Sequence, residues 1–411
     1  MNQPRIRAAV SPPRRRPGPA PAVLPRLEAI LQAERPDIPV LALRPAVIEA
    51  AARRFVAGFP GEVLYAVKCN PEPAVLRALW RGGVRHFDCA SAAEVALVRT
   101  MFPEAVIHFM HPVKARSAIR EAWTRQGVRD FVLDHADELA KILDVVGAAR
   151  DLGLIVRLAL PNGGAVYDLS GKFGATVEET AALLRAARPH AARLGIAFHV
   201  GSQCLEPAAY ARALAVAGEA IRRAGVAVEV VDVGGGFPAA YEGVTPPPME
   251  AFFAAIAEGF SALGLPPGTR LWAEPGRALV ADGGSVVVQV ELVRDGMLHV
   301  NDGVYGALSD LRVPGFAFPC RLIPGDGRVP VDTLKPFGLF GPTCDSADAM
   351  RGPFLLPADV REGDWIELGQ LGAYSGCLRT PFNGFDRARL VEVRDPGLLD
   401  AARDAETRRA A

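Results

Sequence analysis

A lysine at the end of an apolar run is the first residue whose type and position could do chemistry. Lys68 closes the run VLYAVK and is followed by Cys69 and Asn70. Burying an ammonium group is costly, and that cost lowers the pKa of a lysine and makes its amine a nucleophile for an aldehyde. A lysine that extends from a strand tip into solvent fits the same pattern. We therefore treat Lys68 as a candidate nucleophile and expect a lowered pKa.

A glycine-rich segment could bind a phosphate group. The segment VDVGGGFP carries Gly234, Gly235 and Gly236 directly after an apolar run. Glycines let backbone N–H groups approach a phosphate closely, although a tight turn with positive φ needs the same residues. The spacing is not G-x-G-x-x-G, so the dinucleotide fingerprint is not met. Ser202, in HVGS, could add a hydroxyl group and Arg277, in AEPGR, a cation.

Two further residues could contact an aromatic ring. Glu274 ends a buried run and needs a cationic partner, which could be a protonated pyridine nitrogen or an arginine such as Arg277 or Arg157. His199 could stack its flat imidazole on a ring, or could be an ordinary core histidine. An amine, a phosphate-binding turn and an acid opposite a pyridine nitrogen together describe a site for pyridoxal 5′-phosphate.

The C-terminal part contains three more candidates. Cys344 and Asp345 lie in FGPTCDSADAM. A partly exposed thiol can donate a proton, and a neighbouring carboxylate can hold the ammonium group of a ligand. A buried apolar cysteine beside a turn-forming aspartate gives the same sequence. Tyr374, in LGAYSG, could direct its phenol at a phosphate or pack in the core.

Eight short apolar or β-branched runs position most of these residues. The runs are VLYAVK, HFDCAS, VIHFMH, DFVLDH, LIVRLAL, IAFHVGS, VEVVDVGGG and LWAEPGR, and segments of helical spacing separate them. Strands that alternate with helices predict βαβ units and a parallel sheet. The number of units and the size of the segment, residues 45–280, favour an α/β fold of the (β/α)₈ TIM barrel type over a doubly wound open sheet.

In such a barrel the functional residues lie at the C-terminal ends of the strands. The out-of-place polar residues of this chain follow that rule: they are Lys68, Asp88, His111, His199, Ser202, the glycine run, Glu274 and Arg277. After Ala281 the runs alternate without long helical spacers and are interrupted by Gly and Pro. This pattern predicts an antiparallel β domain formed by residues 281–411 together with residues 24–44.

Composition excludes several classes of function. The chain has 411 residues, with 46 Lys+Arg against 46 Asp+Glu, and this balance argues against a nucleic-acid partner. No apolar run is long enough to span a membrane. The six cysteines show no zinc-site spacing, so we expect no metal and a reduced, cytoplasmic setting. Residues 1–23 are rich in Pro and Arg, lack the apolar segment of a secretory signal, and are expected to be a disordered leader.

Taken in order, the motifs YAVKCN, FDCAS, KFGA, HVGS, VDVGGGFP, AEPGR, GPTCDSAD and GAY resemble those of the fold-type III pyridoxal-phosphate decarboxylases, in the branch of ornithine decarboxylase. The resemblance covers about residues 25–400. It implies that Lys68 links covalently to pyridoxal 5′-phosphate, that Glu274 pairs with the pyridine nitrogen and that His199 stacks on the ring. The resemblance further implies that the phosphate is bound by Ser202, Gly236, Arg277 and Tyr374. Asp88 and Arg157 occupy positions that lie near the cofactor in the family. Cys344 matches the proton donor, and Asp345 the acid that holds the distal ammonium of the substrate.

The resemblance also implies a homodimer with shared active sites and decarboxylation of a basic L-amino acid, with ornithine giving putrescine in polyamine biosynthesis. Lysine and diaminopimelate decarboxylases, an amino-acid racemase and a non-catalytic regulatory homologue are the alternatives. One departure bears on the substrate. The eukaryotic enzymes of this family carry a Tyr-Asp pair shortly after NDGVYG. This chain lacks the pair and instead reads ALSDLRVPGF, with Asp310 and Arg312 nearby.

Overall fold

The computed structural model describes residues 23–160, 171–313 and 316–401. Almost all of the predicted disordered leader, residues 1–23, lies outside these residues. Among the described residues no helix is both long enough and apolar enough to cross a membrane.

Eight parallel strands form a closed barrel, which confirms the predicted fold class. The strands are β2 (Glu62–Ala66), β3 (His86–Cys89), β4 (Val106–Phe109), β5 (Asp130–Leu133), β6 (Gly153–Arg157), β7 (Arg193–Ala197), β8 (Val230–Asp232) and β9 (Arg270–Ala273). Each strand pairs with the next in the chain, and β9 pairs back with β2, which excludes the open sheet. The strands end earlier than the apolar runs, so the glycine run lies entirely in the loop after β8.

Helices connect the barrel strands and cover their outer surface. They are α2 (Pro45–Gly58), α3 (Pro73–Arg81), α4 (Ala92–Met101), α5 (Arg116–Thr124), α6 (Ala136–Val146), α7 (Val177–Ala187), α8 (Ala208–Ala224), α9 (Met249–Ser261) and α10 (Arg277–Val280), with α1 (Leu27–Glu34) before them. Local chemistry sets several starts. Ser91 accepts the Glu94 N–H before α4, and Thr176 and Glu179 form a capping box at α7.

The second sheet combines the end of the chain with one strand from its beginning. Its strands are β1 (Val40–Leu43), β10 (Gly284–Arg294), β11 (Met297–Val300), β12 (Cys320–Ile323), β13 (Leu334–Phe340), β14 (Ala349–Pro357), β15 (Trp365–Leu368) and β16 (Arg389–Glu392). Their order is β12-β15-β10-β11-β13-β14, and β1 pairs with β10 and β16.

The expectation of a purely antiparallel sheet needs correction, because two of its strand pairs are parallel. They are β1 with β16 and β11 with β13. Between β11 and β13 the chain crosses the sheet to place β12 against β15, and it therefore returns to β13 in the direction of β11. Long connections of this kind allow parallel pairing, whereas short hairpins do not.

The strand register decides which polar side chains point into the barrel. Apolar residues from six strands, and one that directly follows β4, fill much of the interior: Leu64, Met110, Val132, Ile155, Ala197, Val230 and Trp272. Asp232 pairs in register with Trp272, so its side chain points to the same inner face. Asp88 pairs with His108, which contacts Trp272 inside the barrel. Two aspartates at the C-terminal ends of strands therefore lie above an apolar interior.

Candidate active site

Lys68 lies at the barrel mouth in a single 3₁₀ turn, Val67–Cys69, that directly follows β2. Its Nζ is 2.6 Å from Oδ2 of Asp88, the residue before the last of β3. The Asp88 side chain is fully buried, whereas 43% of the Lys68 side chain is exposed. The end of the turn is fixed by a hydrogen bond, because Nδ2 of Asn70 donates to the carbonyl oxygen of Gly372. Lys68 is thus an accessible amine on a fixed backbone.

The predicted lowering of the Lys68 pKa is wrong for this structure. Burial does act to lower the pKa, but the carboxylates of Asp88 and Glu274 raise it by more, and the pKa lies above its ordinary value. The amine is therefore protonated while both acids act on it. Sequence reasoning considered only the cost of burial.

Glu274 follows β9 and is almost completely buried. Its pKa is raised well above the ordinary value by burial and by the carboxylates of Asp232 and Asp88. The ion pair with Arg277 or Arg157 that the sequence left open is not found among the described residues. Asp232, the last residue of β8, is also fully buried, and its Oδ2 has no hydrogen-bond partner among the described residues. Sequence reasoning did not single out Asp232, although it lies near the C-terminal end of a barrel strand, as Lys68 and Asp88 do.

The glycine run forms a tight turn against the β7 loop. Gly234 and Gly236 have φ values of +67° and +103°, a region that favours glycine. A Cβ on Gly234 would lie 2.0 Å from the carbonyl oxygen of Phe198, and one on Gly235 would lie 2.9 Å from Nε2 of His199. The turn is tied to both acids, because Gly234 donates its N–H to Asp232 and accepts the N–H of Glu274. Side chains longer than glycine are excluded here.

His199 is half-buried and lies directly beside this turn. Its Nδ1 accepts the N–H of Gly201 at 2.9 Å, which leaves the proton on Nε2. Burial and the positive charges of Arg157 and Lys68 hold its pKa well below the ordinary value. The ring is therefore a neutral, oriented imidazole. Ser202 lies half-buried in the same loop, and Arg157 is the last residue of β6.

Arg277 begins the short helix α10 and is buried beside three aromatic rings. Its Nη1 donates to the hydroxyl of Tyr241 at 2.6 Å and to Oδ2 of Asp310 at 3.0 Å. The guanidinium lies 5.2 Å from the ring centre of Tyr374. The backbone N–H of Tyr374 donates to the carbonyl of Cys69, so this tyrosine is fixed against the turn that carries Lys68. Sequence reasoning missed Tyr241 and did not assign Asp310.

Cys344 and Asp345 lie in the loop between β13 and β14, outside the barrel mouth. Cys344 is exposed, and its N–H donates to Oδ1 of Asn383. The hydroxyl of Tyr305 donates to Asp345, and this hydrogen bond lowers the pKa of the aspartate. The contacts described for both residues are within the second sheet domain. Within one chain the structure thus brings the barrel candidates together and leaves these two apart.

The residues at the barrel mouth fit pyridoxal 5′-phosphate by their chemistry. They supply an amine for an aldehyde, a buried acid for a pyridine nitrogen, and a glycine turn with an arginine and a serine for a phosphate. In addition, Oδ1 of Asp88 is buried without a hydrogen-bond partner among the described residues, so a polar group is needed there. No group of three His, Cys, Asp or Glu side chains in the described ranges could hold a metal ion.

Comparisons with known proteins agree with this chemistry. Residues 46–281 match the family model described as pyridoxal-dependent decarboxylase, pyridoxal binding domain. A lysine/ornithine decarboxylase of Selenomonas ruminantium is 33% identical over 81% of this chain and 84% of its own length. An ornithine decarboxylase of Schizosaccharomyces pombe is 32% identical over 82% and 78%. The crystal structure of the lysine/ornithine decarboxylase of Vibrio vulnificus, complexed with cadaverine, has a TM-score of 0.77 at 31% identity and covers 90% of this chain and 98% of that one.

The matched segment contains the whole barrel, from α2 to α10, and with it the lysine, both buried acids, the glycine turn and the arginine of the site. Both the fold and the donor set are therefore those of the matched family. This chain belongs to the pyridoxal-dependent decarboxylases of fold type III, in the group of the ornithine and lysine/ornithine decarboxylases.

Proposed function

We propose that this protein removes CO₂ from a basic L-amino acid, and that its substrate is L-ornithine, which yields putrescine for polyamine biosynthesis. The observation that carries the proposal is the Lys68–Asp88 contact at 2.6 Å, which lies at the same barrel mouth as buried Glu274. An accessible amine and a buried acid are the two groups that a pyridine aldehyde requires.

The cofactor supplies an electron sink for the charge that decarboxylation leaves on Cα. The residues proposed to hold it are Lys68, Asp88, Arg157, His199, Ser202, Gly234, Gly235, Gly236, Glu274, Arg277 and Tyr374. Lys68 would hold the aldehyde group, Glu274 the pyridine nitrogen, and the neutral imidazole of His199 the ring. The glycine turn and Arg277 would hold the phosphate.

The proton and the substrate are assigned to the second sheet domain. The thiol of Cys344 returns a proton to Cα after loss of CO₂. The carboxylate of Asp345, oriented by the hydroxyl of Tyr305, binds the distal ammonium of the substrate. Because these residues make their contacts away from the barrel mouth of their own chain, we propose that they reach the barrel of a second copy. Each site of the homodimer then combines residues from both subunits.

The role of Lys68 is tested by Lys68→Ala and Lys68→Arg, with Lys335→Ala as the matched control. Lys335 lies exposed in β13 of the second sheet, outside the barrel that carries Lys68. Both Lys68 variants are expected to lose turnover and the visible absorption band of the bound cofactor, because a guanidinium stays protonated and cannot replace the amine. The control is expected to keep both. Full turnover by Lys68→Ala would contradict the proposal.

The substrate is tested by measuring CO₂ release from ornithine, lysine, arginine and diaminopimelate side by side. The chain lacks the Tyr-Asp pair that would provide a second acid for the substrate. Asp310 forms an ion pair with Arg277, so it does not replace that acid. Asp345 is then the acid that selects an unbranched diamine precursor, and ornithine is expected to turn over fastest. A preference for lysine would move the assignment to lysine decarboxylase. Comparable turnover of all four would defeat the selectivity argument.

Chiral analysis of the products and the absorption band of the bound cofactor separate the remaining alternatives. A D-amino acid formed from an L-substrate would indicate a racemase. A protein that binds no cofactor and turns over none of the four substrates would indicate a non-catalytic homologue. A reducing, cytoplasmic setting is part of our proposal, and it is supported by six cysteines that are all free of disulfides.

The shared site is tested by mixing subunits that carry Lys68→Ala with subunits that carry Cys344→Ala. Each variant alone is expected to be nearly inactive. A mixed dimer of the proposed kind contains one site with both residues intact, so random mixing should restore about a quarter of the wild-type turnover. No recovery in a mixture that is shown to exchange subunits would refute the shared site.

A further inference from the structure

The loop that carries Cys344 is fixed at the residues on both sides of the cysteine. Thr343, directly before it, donates its N–H and its hydroxyl to Oδ2 of buried Asp348, at 3.1 Å and 2.7 Å. Asp345, directly after it, accepts from the hydroxyl of Tyr305 and from the backbone N–H two residues further on. Both neighbours of Cys344 are therefore held by contacts in which Cys344 takes no part.

Cys344 has a contact of its own with a distant part of the chain. Its N–H donates to Oδ1 of Asn383 at 3.1 Å. Asn383 lies in the 3₁₀ turn Phe382–Gly384, and its φ of 52° places it in the left-handed region. Asparagine and aspartate are the residues with a side chain that adopt this region most readily. The Asn383 side chain supplies what glycine at the same position would lack, which is an acceptor for the N–H of Cys344.

The turn that carries Asn383 is tied to the loop that follows β11. Arg379, just before the turn, donates from Nη2 to Oδ2 of Asp302 at 2.6 Å, and both side chains are largely buried. Its Nη1 donates to the carbonyl oxygen of Phe385 at 3.2 Å, just after the turn. The ring of Phe382 lies 4.8 Å from the ring of Tyr305. Asn383 is therefore exposed but stands on a fixed backbone.

We propose that Asn383 is a positioning residue for the return of a proton by Cys344: it fixes the backbone from which the thiol extends and so directs the thiol at one face of Cα. The inference rests on the proposed function. In that reaction the bond between Cα and the carboxylate breaks, CO₂ leaves, and its bonding electron pair stays behind. The proton on Sγ then moves to Cα, and solvent returns a proton to the thiolate.

The contacts of Asp345 make the effect specific to the proton. Asp345 is held by Tyr305 and by its own loop, so removal of the Asn383 acceptor leaves the proposed substrate-binding acid in place. Loss of the acceptor is therefore expected to slow the step after CO₂ is lost and to leave substrate binding nearly unchanged. A residue that only stabilises the domain would not separate these two effects.

Three variants separate the acceptor from the backbone. Asn383→Asp keeps an acceptor oxygen and tolerates the left-handed region, whereas Asn383→Gly keeps the backbone conformation and removes the acceptor. The matched control is Asp295→Gly. Asp295 is also exposed and has a φ of 51°, and it lies in the turn between β10 and β11. It receives the same kind of change away from the Cys344 loop.

The first measurement is hydrogen exchange of the Cys344 amide in the cofactor-loaded protein, read at single-residue level by mass spectrometry. The wild type, Asn383→Asp and the control are expected to exchange at similar rates. Asn383→Gly is expected to exchange about fivefold faster at this amide, because one hydrogen bond is lost. Equal exchange in the wild type and Asn383→Gly would overturn the inference, since the contact would then be absent in solution.

The second measurement is turnover in heavy water, with the configuration of the labelled product read by NMR of a chiral derivative. The wild type, Asn383→Asp and the control should place one deuterium on the reacting carbon in a single configuration. Asn383→Gly should lower kcat about tenfold, keep KM within about twofold and give both configurations, because solvent reaches either face when the thiol is not held. Unchanged kcat and configuration in Asn383→Gly, or no rescue by Asn383→Asp, would refute the inference.

Failure of the inference and failure of the proposed function give different results. An active enzyme in which Asn383→Gly changes neither the exchange rate nor the product would overturn the inference alone. A protein that shows the exchange difference but decarboxylates none of the four amino acids would overturn both, and would leave Asn383 with a structural hydrogen bond only.

Discussion

The two ends of the barrel differ in how well their buried acids are paired with cations. Three acids are buried at the C-terminal mouth: Asp88, Asp232 and Glu274. The cation Lys68 contacts one of them, Asp88. At the N-terminal end, Asp130 lies between two partners. Nδ1 of His108 is 3.0 Å from one oxygen of Asp130, and Nε of Arg193 is 2.9 Å from the other.

Asp130 and Asp232 make the comparison direct, because both are buried aspartates that point into the same barrel. Burial alone would raise both pKa values. At Asp130 the contacts with His108 and Arg193 outweigh burial and lower the pKa to about 2. At Asp232 the carboxylate of Asp88 adds to the effect of burial, and the pKa rises to about 6. At the N-terminal end the charge of Asp130 is balanced by its partners. At the mouth the acids repel one another, and a cationic ligand would reduce that repulsion.

The largest expected effect is at the mouth. Glu274→Ala removes the acid proposed to face the pyridine nitrogen, and turnover per substrate is expected to fall by about two to three orders of magnitude. The free energy of unfolding of the cofactor-free protein is expected to stay equal or increase, because one of three repelling acids is gone. Steady-state kinetics and urea unfolding on the same preparations measure both. A large loss of stability would contradict the comparison.

The next effect is at the N-terminal end and has the opposite character. Asp130→Ala leaves Arg193 and His108 without their buried partner, and the free energy of unfolding is expected to fall by about 3 kcal/mol. Turnover of the protein that remains folded should change less than about twofold, because the residue lies at the far end of the barrel from Lys68. Asp130→Asn, which keeps one acceptor oxygen and the size of the side chain, is the matched control and should cost less. A selective loss of turnover would break the division between support and site.

The pH dependence of stability should also divide the two aspartates. A folded-state pKa of about 6 means that the folded chain holds the Asp232 proton more tightly than the unfolded chain, whose value is near 4. Stability from this group is therefore lost as pH rises from about 4 through 6, by about 3 kcal/mol. Asp130 acts in the other direction, and its contribution is lost as pH falls toward 2.

Urea unfolding of the cofactor-free wild type and of Asp232→Asn at pH 4.5 and pH 7.5 checks this sign. The wild type should lose stability between the two pH values relative to the variant. Parallel behaviour of the two proteins would show that Asp232 titrates alike in the folded and unfolded chains.

The smallest effect is expected at the rim of the N-terminal end. Glu62 and Arg270 form an ion pair there, but their side chains are 30% and 40% exposed. Water and salt screen such a pair, so Arg270→Ala should cost less than about 1 kcal/mol. Thermal unfolding at low and high salt measures the difference, with Arg270→Lys as the control. A cost as large as that of Asp130→Ala would show that burial is not what separates the two pairs.

Much of the architecture was predictable from the chain alone. Alternation of apolar runs with helical segments specified the eight parallel strands. Because parallel strands place their C-terminal ends on one side of a barrel, Lys68, Asp88 and Glu274 were expected at one mouth before any distance was known. The glycine run was readable as a tight turn, since glycine adopts the positive φ of Gly234 and Gly236 without steric cost.

Three features depended on the tertiary structure. The parallel pairs of the second sheet follow from where the chain crosses, which composition does not encode. The pKa of Lys68 rises instead of falling, because two carboxylates outweigh burial. Finally, burial and nearby carboxylates raise the pKa of Asp232 and of Glu274, although a whole helix, α9, separates these two residues in the chain. Residue types and local spacing determine which groups a strand end presents. Their charges depend on neighbours that only the closed barrel brings within reach.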